Sequence, residues 1–149
     1  MQKLMYTFVA FALAGTLLAA DRFSGTWKLD PSQSTGTSLP KEETLVIMDD
    51  GKNVQVTITG TDAEGAPISI TYVVPTAGGA GQVSQGPYDN ISEKRIDEKT
   101  REVSYGKGGK HKSHLREVVS KDGKTMTVTT KETDAQGKTV ANKEVYTKQ

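Results

Sequence analysis

The sequence predicts an all-β fold, an up-and-down antiparallel barrel of about eight to ten strands over residues 21–149. Short runs rich in Thr, Val and Ile alternate apolar with polar side chains, which is the period of a strand with one buried face. Turn signals such as Asp-Gly separate these runs, and no segment after residue 21 has a helical period. A meander that closes on itself removes exposed sheet edges, so we expect closure.

Residues 1–20 have the features of a secretory signal peptide. Lys3 precedes an apolar run from Leu4 to Leu18, and the small residues Ala19 and Ala20 follow it. Such a segment is removed on export, so we expect a periplasmic or extracellular protein with no membrane span after signal removal. The alternative is an uncleaved anchor, for which the run is short and interrupted.

Charge and cysteine content restrict the function classes. The chain has 19 Lys and Arg and 18 Asp and Glu residues, and removal of Lys3 leaves the two signs equal. A nucleic-acid binder needs a basic excess, so that class is not expected. Because the chain has no Cys, disulfides and thiolate metal sites are excluded. The remaining length suits one domain, which we expect to be a monomer.

The first predicted strand contains the only tryptophan. Phe23, Gly25, Trp27 and Leu29 alternate with polar residues, so they share the buried face. We expect Trp27 to fill the closed end of the barrel, with its indole N–H bonded to a backbone acceptor. The alternative is that the indole forms part of a ligand-binding wall.

Later runs repeat the same alternation. The residues expected to point inward are Phe23, Trp27, Leu29, Leu45, Ile47, Val54, Val56, Ile58, Ile68, Ile70, Tyr72, Val74, Ile91, Val103, Tyr105, Leu115, Val119, Met126, Val128, Val140 and Tyr146. Both faces are apolar from Leu45 to Met48, which leaves the inward face of that strand ambiguous.

The connections divide into tight turns and two looser segments. Asp50-Gly51 and Asp122-Gly123 favour tight hairpins, and residues 61–65 recur almost unchanged as residues 133–137, which predicts two similar hairpins. Residues 30–42 are predicted to be a polar loop. Residues 75–87 are rich in Gly, which predicts a mobile connector or a loop at the barrel mouth.

No catalytic or metal-binding signature stands out. His111 and His114, the only histidines, lie three apart on a predicted strand and would face opposite sides, so they cannot hold one metal ion. We find no nucleophile elbow and no zinc-protease motif. The sequence therefore predicts a protein that is not an enzyme and needs no cofactor.

The run Phe23-Ser24-Gly25-Thr26-Trp27-Lys28-Leu29 resembles the opening strand of lipocalins and fatty-acid-binding proteins. The last strands, from residue 115 to 148, are similar to those of fatty-acid binders. As a whole the chain resembles small exported bacterial lipocalin-like proteins, which implies a barrel that binds a small hydrophobic ligand. Fatty-acid binders hold a carboxylate with Arg-x-Tyr on the last strand, where this chain has Glu144-Val145-Tyr146. In lipocalins a basic side chain covers the first-strand Trp, a role open here to Arg95 or Arg116.

Two functions remain open at this stage. One is an exported barrel that binds a small hydrophobic molecule in its interior, and the other is a plugged barrel acting through its surface as an interaction or inhibitor module of the cell envelope. The predicted ligand-binding residues are Trp27, Val56, Ile70, Tyr72, Arg95, Arg116 and Tyr146. A dry void of ~300 Å^3 would cost about 7 kcal/mol, so we expect a narrow cavity or one filled by side chains.

Overall fold

The computed structural model describes residues 21–149, and the predicted signal peptide lies outside the described residues. The all-β prediction is confirmed, because the described residues form twelve strands and no helix. Within them, no helix is long and apolar enough to cross a membrane. The strands are β1 (Gly25–Leu29), β2 (Thr35–Gly36), β3 (Glu42–Asp49), β4 (Asn53–Thr61), β5 (Pro67–Pro75), β6 (Gly79–Ala80), β7 (Gln82–Gln85), β8 (Asn90–Arg95), β9 (Thr100–Lys107), β10 (His111–Val119), β11 (Thr125–Thr133) and β12 (Thr139–Lys148).

The strands form one antiparallel sheet that curls into a nearly closed barrel. The spatial order is β6-β8-β9-β10-β11-β12-β1-β3-β4-β5-β7, with β2 paired to β12. Short β1 joins the two ends of the meander, since Trp27 pairs with Leu45 of β3 and with Lys148 of β12. The barrel has more strands than predicted because β2 and β6 are two residues long, too short to show an alternation.

The prediction of a mobile connector or mouth loop over residues 75–87 is wrong for most of that segment. Gly79 and Ala80 pair with β8, and the following β7 pairs with β5, so the segment crosses the seam of the barrel. Gly81 lies between the two strands and donates its N–H to the Ile91 carbonyl over 2.9 Å. A Cβ at this position would lie 2.2 Å from the Val73 oxygen. This segment has no strand-like alternation in its sequence, and it becomes β-structure because it pairs with the free edges of β5 and β8.

Residues 30–42 are irregular for most of their length, as predicted, but they are anchored at two points. Thr35 and Gly36 form β2 against β12. Ser34 is buried, and its hydroxyl donates to the Asp30 carbonyl and accepts the Val145 N–H. These bonds hold the segment against the last strand.

The core consists of the side chains that the alternation placed inside. All the predicted inward residues except Ile68 and Val140 belong to the buried cluster or pack against it. The ambiguity of β3 is resolved, because Leu45 and Ile47 are buried whereas Met48 is 53% exposed.

The predicted pair of similar hairpins is present at one end of the barrel. Asp62 Oδ1 accepts the N–H groups of Glu64 and Ala66, at 3.0 and 2.8 Å. Asp134 Oδ1 accepts the equivalent pair from Gln136 and Lys138, at 2.9 and 2.8 Å. We call this end the hairpin end and the opposite one, which holds Trp27, the tryptophan end.

Candidate functional site

The tryptophan end is sealed by packed side chains. Trp27 and Phe23 are fully buried, and the Trp27 indole N–H donates to the Phe23 carbonyl over 2.7 Å, as predicted. The cation over the indole is Lys148, with Nζ 5.2 Å from the ring centre, so the expectation of Arg95 or Arg116 is wrong. Gly25 makes this possible, because a Cβ there would lie 2.6 Å from Lys148 Cε.

A buried ion cluster separates this end from the middle of the barrel. The Arg101 guanidinium lies 4.4 Å from the centre of the Phe23 ring. Its Nε donates to Glu117 Oε2, and Nη1 lies 3.5 Å from Glu93 Oε2. Burial raises the pKa of the Glu93 carboxyl, and the nearby Arg101 charge opposes that rise. Removal of either partner of such a buried ion pair leaves an uncompensated charge in the interior, which destabilises the fold strongly.

The hairpin end holds a cavity of about 530 Å^3 that enters the barrel interior. This volume lies within the range of small-molecule sites, and the expectation of a narrow or filled interior is therefore wrong for this half of the barrel. The cavity is lined by Ser38, Pro40, Glu43, Leu45, Ile58, Asp62, Glu64, Pro67, Ile68, Ser69, Ile70, Tyr72, Pro87, Tyr88, Tyr105, Leu115, Glu117, Val128, Thr130, Glu132, Asn142, Glu144 and Tyr146.

Aliphatic and aromatic side chains form much of the wall. Ile58, Ile70 and Leu115 are only partly buried, although they pack against the core. The wall also includes every tyrosine in residues 21–149. Two of them, Tyr88 and Tyr105, have ring centres 4.3 Å apart in a tilted arrangement. These surfaces can bury an apolar ligand and offer hydroxyl groups to its polar atoms.

One wall carries two carboxyl groups joined by a tyrosine. The Tyr146 hydroxyl oxygen lies 2.6 Å from Glu43 Oε1 and 3.0 Å from Glu144 Oε2. Burial, with the nearby Glu144 charge, raises the pKa of Glu43 to about 7, although the Tyr146 hydrogen bond opposes the rise. Burial likewise raises the pKa of Glu144. A hydroxyl has one proton to donate, so it can satisfy only one of the two carboxylates, and the raised pKa of Glu43 favours protonation of that carboxyl below about pH 7.

The structure places the seven predicted ligand-binding residues in different regions. Ile70, Tyr72 and Tyr146 line the cavity. Trp27 and Val56 are buried in the core and do not line it. Whether any of these touches a ligand stays a prediction.

The two predicted arginines lie away from the cavity. Arg95 is at the tryptophan end, where Nη1 bonds Asp21 Oδ1 over 2.9 Å. Arg116 is on the outer face, with Nη1 2.9 Å from Glu102 Oε1. Arg116 follows inward-facing Leu115 on β10, so the strand alternation turns it outward.

The charged residues of the interior were not predicted from the sequence, although the strand alternation indicates them. Glu117 lies between Leu115 and Val119 with the same alternation, and Arg101 precedes Val103 in the same way. Glu43, Glu132 and Glu144 also share the face of their inward neighbours. Alternation that places apolar residues inside places charged residues of the same parity there too.

The histidines face opposite sides, as predicted. His111 Nε2 lies 2.9 Å from Glu132 Oε1, while exposed His114 contacts the Ser104 hydroxyl. Among residues 21–149, no three His, Asp or Glu side chains are grouped so as to hold a metal ion. An open depression at the tryptophan end is lined by charged residues of both signs from turns and strand ends, and no residue of the buried core lines it.

The fold is similar to solved barrels of low sequence identity. An S-type phycobiliprotein lyase, CPES, from Guillardia theta has a TM-score of 0.57 at 11% identity, over 86% of this chain and 89% of that one. EF1p2_mFAP2b bound to DFHBI has a TM-score of 0.52 at 12% identity, over 88% and 97%. No protein-family model and no curated protein sequence matches the chain. These similarities show the barrel fold.

Proposed function

We propose that this chain binds a small, largely apolar molecule in the cavity at the hairpin end. The observation that carries the proposal is the cavity itself, which has a volume of about 530 Å^3. It lies in a barrel whose other end is filled by Trp27 and Phe23. Partly buried Ile58, Ile70 and Leu115 border it, and a ligand that covered them would gain about 25 cal/mol per Å^2. The likeness to a barrel solved with DFHBI bound gives supporting analogy for the use of such an interior.

We propose binding rather than catalysis. The lining residues include no His, Lys or Arg, and the chain has no Cys, so a nucleophile paired with a nitrogen base is not among them. The alternative, a plugged barrel that acts through its surface, is less favoured because the interior contains a cavity large enough for a ligand.

We propose further that the protein acts after export. The support is the sequence of residues 1–20, whose apolar run ends in Ala19-Ala20. Expression of the full chain in a bacterium, fractionation and mass measurement test this step. An intact chain that keeps residues 1–20 in the cytoplasm would contradict it.

Uptake of Nile red, a neutral apolar dye, tests ligand binding. We expect saturable fluorescence enhancement for the mature chain. Leu115→Trp fills the cavity and should weaken uptake at least tenfold. Val118→Trp is the matched control, because Val118 lies on the same strand and is exposed. Circular dichroism verifies that both variants fold. Absence of saturable uptake, or equal loss in both variants, would contradict the proposal.

A further inference from the structure

The charges of the cavity wall all have one sign. Within the described residues, six of the side chains that line the cavity are acidic and no lining residue is Lys or Arg. They come from several elements: Glu43 on β3, Glu117 on β10, Glu132 on β11 and Glu144 on β12, with Asp62 and Glu64 in the β4–β5 turn. Residues 21–149 contain equal numbers of acidic and basic residues. The excess of acidic side chains in the cavity wall therefore arises from the fold and not from the composition.

Part of this charge already has a partner. Glu117 Oε2 accepts from Arg101 Nε, and Glu132 lies against His111. Glu43 and Glu144 have no cation beside them in the described residues, and they share one tyrosine proton. The carboxyl groups of Glu43 and Glu144 can therefore accept hydrogen bonds from a cationic ligand.

Two further polar groups point to a missing partner. Tyr72 is 3% exposed and Glu117 is 2% exposed, and both line the cavity. Within residues 21–149, no hydrogen bond reaches the Tyr72 hydroxyl or Glu117 Oε1. Both groups line the cavity and have hydrogen-bonding capacity left over, so the N–H groups of a ligand could donate to them.

The tyrosines suit the same kind of ligand. The faces of aromatic rings attract cations within about 6 Å, and four tyrosine side chains line this one cavity. Carboxylates with aromatic rings recognise an ammonium group, whereas an anion would be repelled by both.

We propose that the cavity selects an organic cation, a protonated amine or quaternary ammonium group carried on an apolar body. This inference rests on the proposed function, since it specifies the ligand of that same cavity. The ammonium group would lie against the Glu43–Tyr146–Glu144 wall, and the apolar body against Ile58, Ile70 and Leu115. Below about pH 7, binding of the ammonium group would displace the proton of the Glu43 carboxyl.

Three probes that share an indole body test the charge preference. Tryptamine is a cation, tryptophol is neutral and indole-3-acetate is an anion, and calorimetry at pH 8 measures each affinity. We expect tryptamine to bind about tenfold more tightly than tryptophol, the effect of one charge-assisted hydrogen bond. Indole-3-acetate should bind more weakly than both. Tryptophol or indole-3-acetate binding as tightly as tryptamine would overturn the inference.

Variants locate the preference on the wall. Glu144→Gln and Glu43→Gln should each reduce the ratio of tryptamine affinity to tryptophol affinity about tenfold. Glu42→Gln is the matched control, because Glu42 is the exposed neighbour of Glu43 on β3. An unchanged advantage in both wall variants would overturn the assignment.

The pH dependence of tryptamine affinity distinguishes a binding role of the two carboxyl groups from a purely structural one. Tryptamine affinity should rise between pH 5 and pH 8 as the wall loses its proton, and tryptophol affinity should stay constant. The titratable groups near Glu43 are Glu144 and Tyr146 on β12, together with Tyr88. Glu132 on β11 and Glu117 on β10 line the same cavity. A flat tryptamine profile would contradict the inference.

The two proposals fail in different ways. If Nile red and tryptophol bind and tryptamine gains nothing, only the charge preference is wrong. If Nile red and all three indole probes fail to bind, the proposed function itself is wrong.

Discussion

The Nζ atom of Lys148 lies 5.2 Å from the centre of the Trp27 indole ring, and Lys148 is the cross-strand partner of Trp27. The lysine side chain passes against Gly25, whose φ of 133° is one that L side chains rarely adopt. The Gly-x-Trp pattern of the sequence therefore has a local physical reason. Glycine leaves room for the cation that covers the tryptophan two residues later.

Gly25→Ala should lower the free energy of unfolding by ~2 kcal/mol. The new Cβ would lie 2.6 Å from Lys148 Cε and would also strain the backbone. Urea unfolding followed by Trp27 fluorescence measures the change. Lys148→Ala in the same chain should restore part of the loss. Gly123→Ala, in open space, should lose only about 1 kcal/mol; an equal loss in both glycine variants would contradict the steric account.

Arg101→Ala should destabilise the barrel by about 4 kcal/mol, because it leaves two buried carboxylates without their cation. Those carboxylates belong to Glu93 and Glu117. The matched control is Arg116→Ala on the outer face, whose exposed pair with Glu102 should cost less than about 1 kcal/mol. Urea unfolding of both variants distinguishes them, and similar losses would contradict the burial argument.

Stability should fall as pH rises from 5 to 8. The pKa of Glu43 is raised to about 7 from 4.5, so between these values the folded state keeps a proton that the unfolded state has released, and the free energy of unfolding decreases with pH. The decrease is at most about 3 kcal/mol. The raised pKa of Glu144 acts in the same direction.

Urea unfolding at pH 5 and pH 8 measures this slope. Glu43→Gln should flatten it, whereas Glu42→Gln should leave it as it is. The turn aspartates with lowered pKa titrate below 3.8 and stay outside this window; they are Asp30, Asp50, Asp89, Asp97 and Asp122. A wild-type stability that rises between pH 5 and 8 would show that the Glu43 carboxyl is not protonated in the folded state.

Gly81→Ala should open the seam of the barrel and cost ~2 kcal/mol. Its Cβ would lie 2.2 Å from the Val73 oxygen, and its N–H bonds the Ile91 carbonyl. Amide exchange at Gly81 and urea unfolding measure the effect. Gly79→Ala, with no atom within 4 Å of the new Cβ, should lose less and keep the seam protected. Unchanged protection in Gly81→Ala would contradict the role of this contact.

The strand pattern could be predicted from the sequence because each long strand has one apolar face. The same regularity predicted the environment of Trp27, down to its indole hydrogen bond. The seam could not be predicted, since residues 79–85 become strands only where the edges of β5 and β8 meet them. Local pattern determines the long strands, and tertiary contact determines the short ones.

The apolar half of the candidate site was predictable, and its polar half was missed. Ile70, Tyr72 and Tyr146 were named from alternation and line the cavity. Glu117 and Glu144 were not among the residues predicted to point inward, because acidic residues are rarely buried without partners. Arg101, the partner of Glu117, comes from the neighbouring strand β9. Tyr146 lies two residues from Glu144 on β12, but the second carboxyl that it contacts, Glu43, comes from β3. No single run of sequence displays these contacts between strands.

The most direct test of the central claim is amide chemical-shift mapping of the isotope-labelled mature chain with tryptophol. We predict saturable shifts at cavity residues such as Ile70, Tyr72, Leu115 and Tyr146, with the amides of Phe23 and Trp27 unmoved. Shifts concentrated at the tryptophan end, or none at saturating probe, would contradict a ligand site in the hairpin end of this barrel.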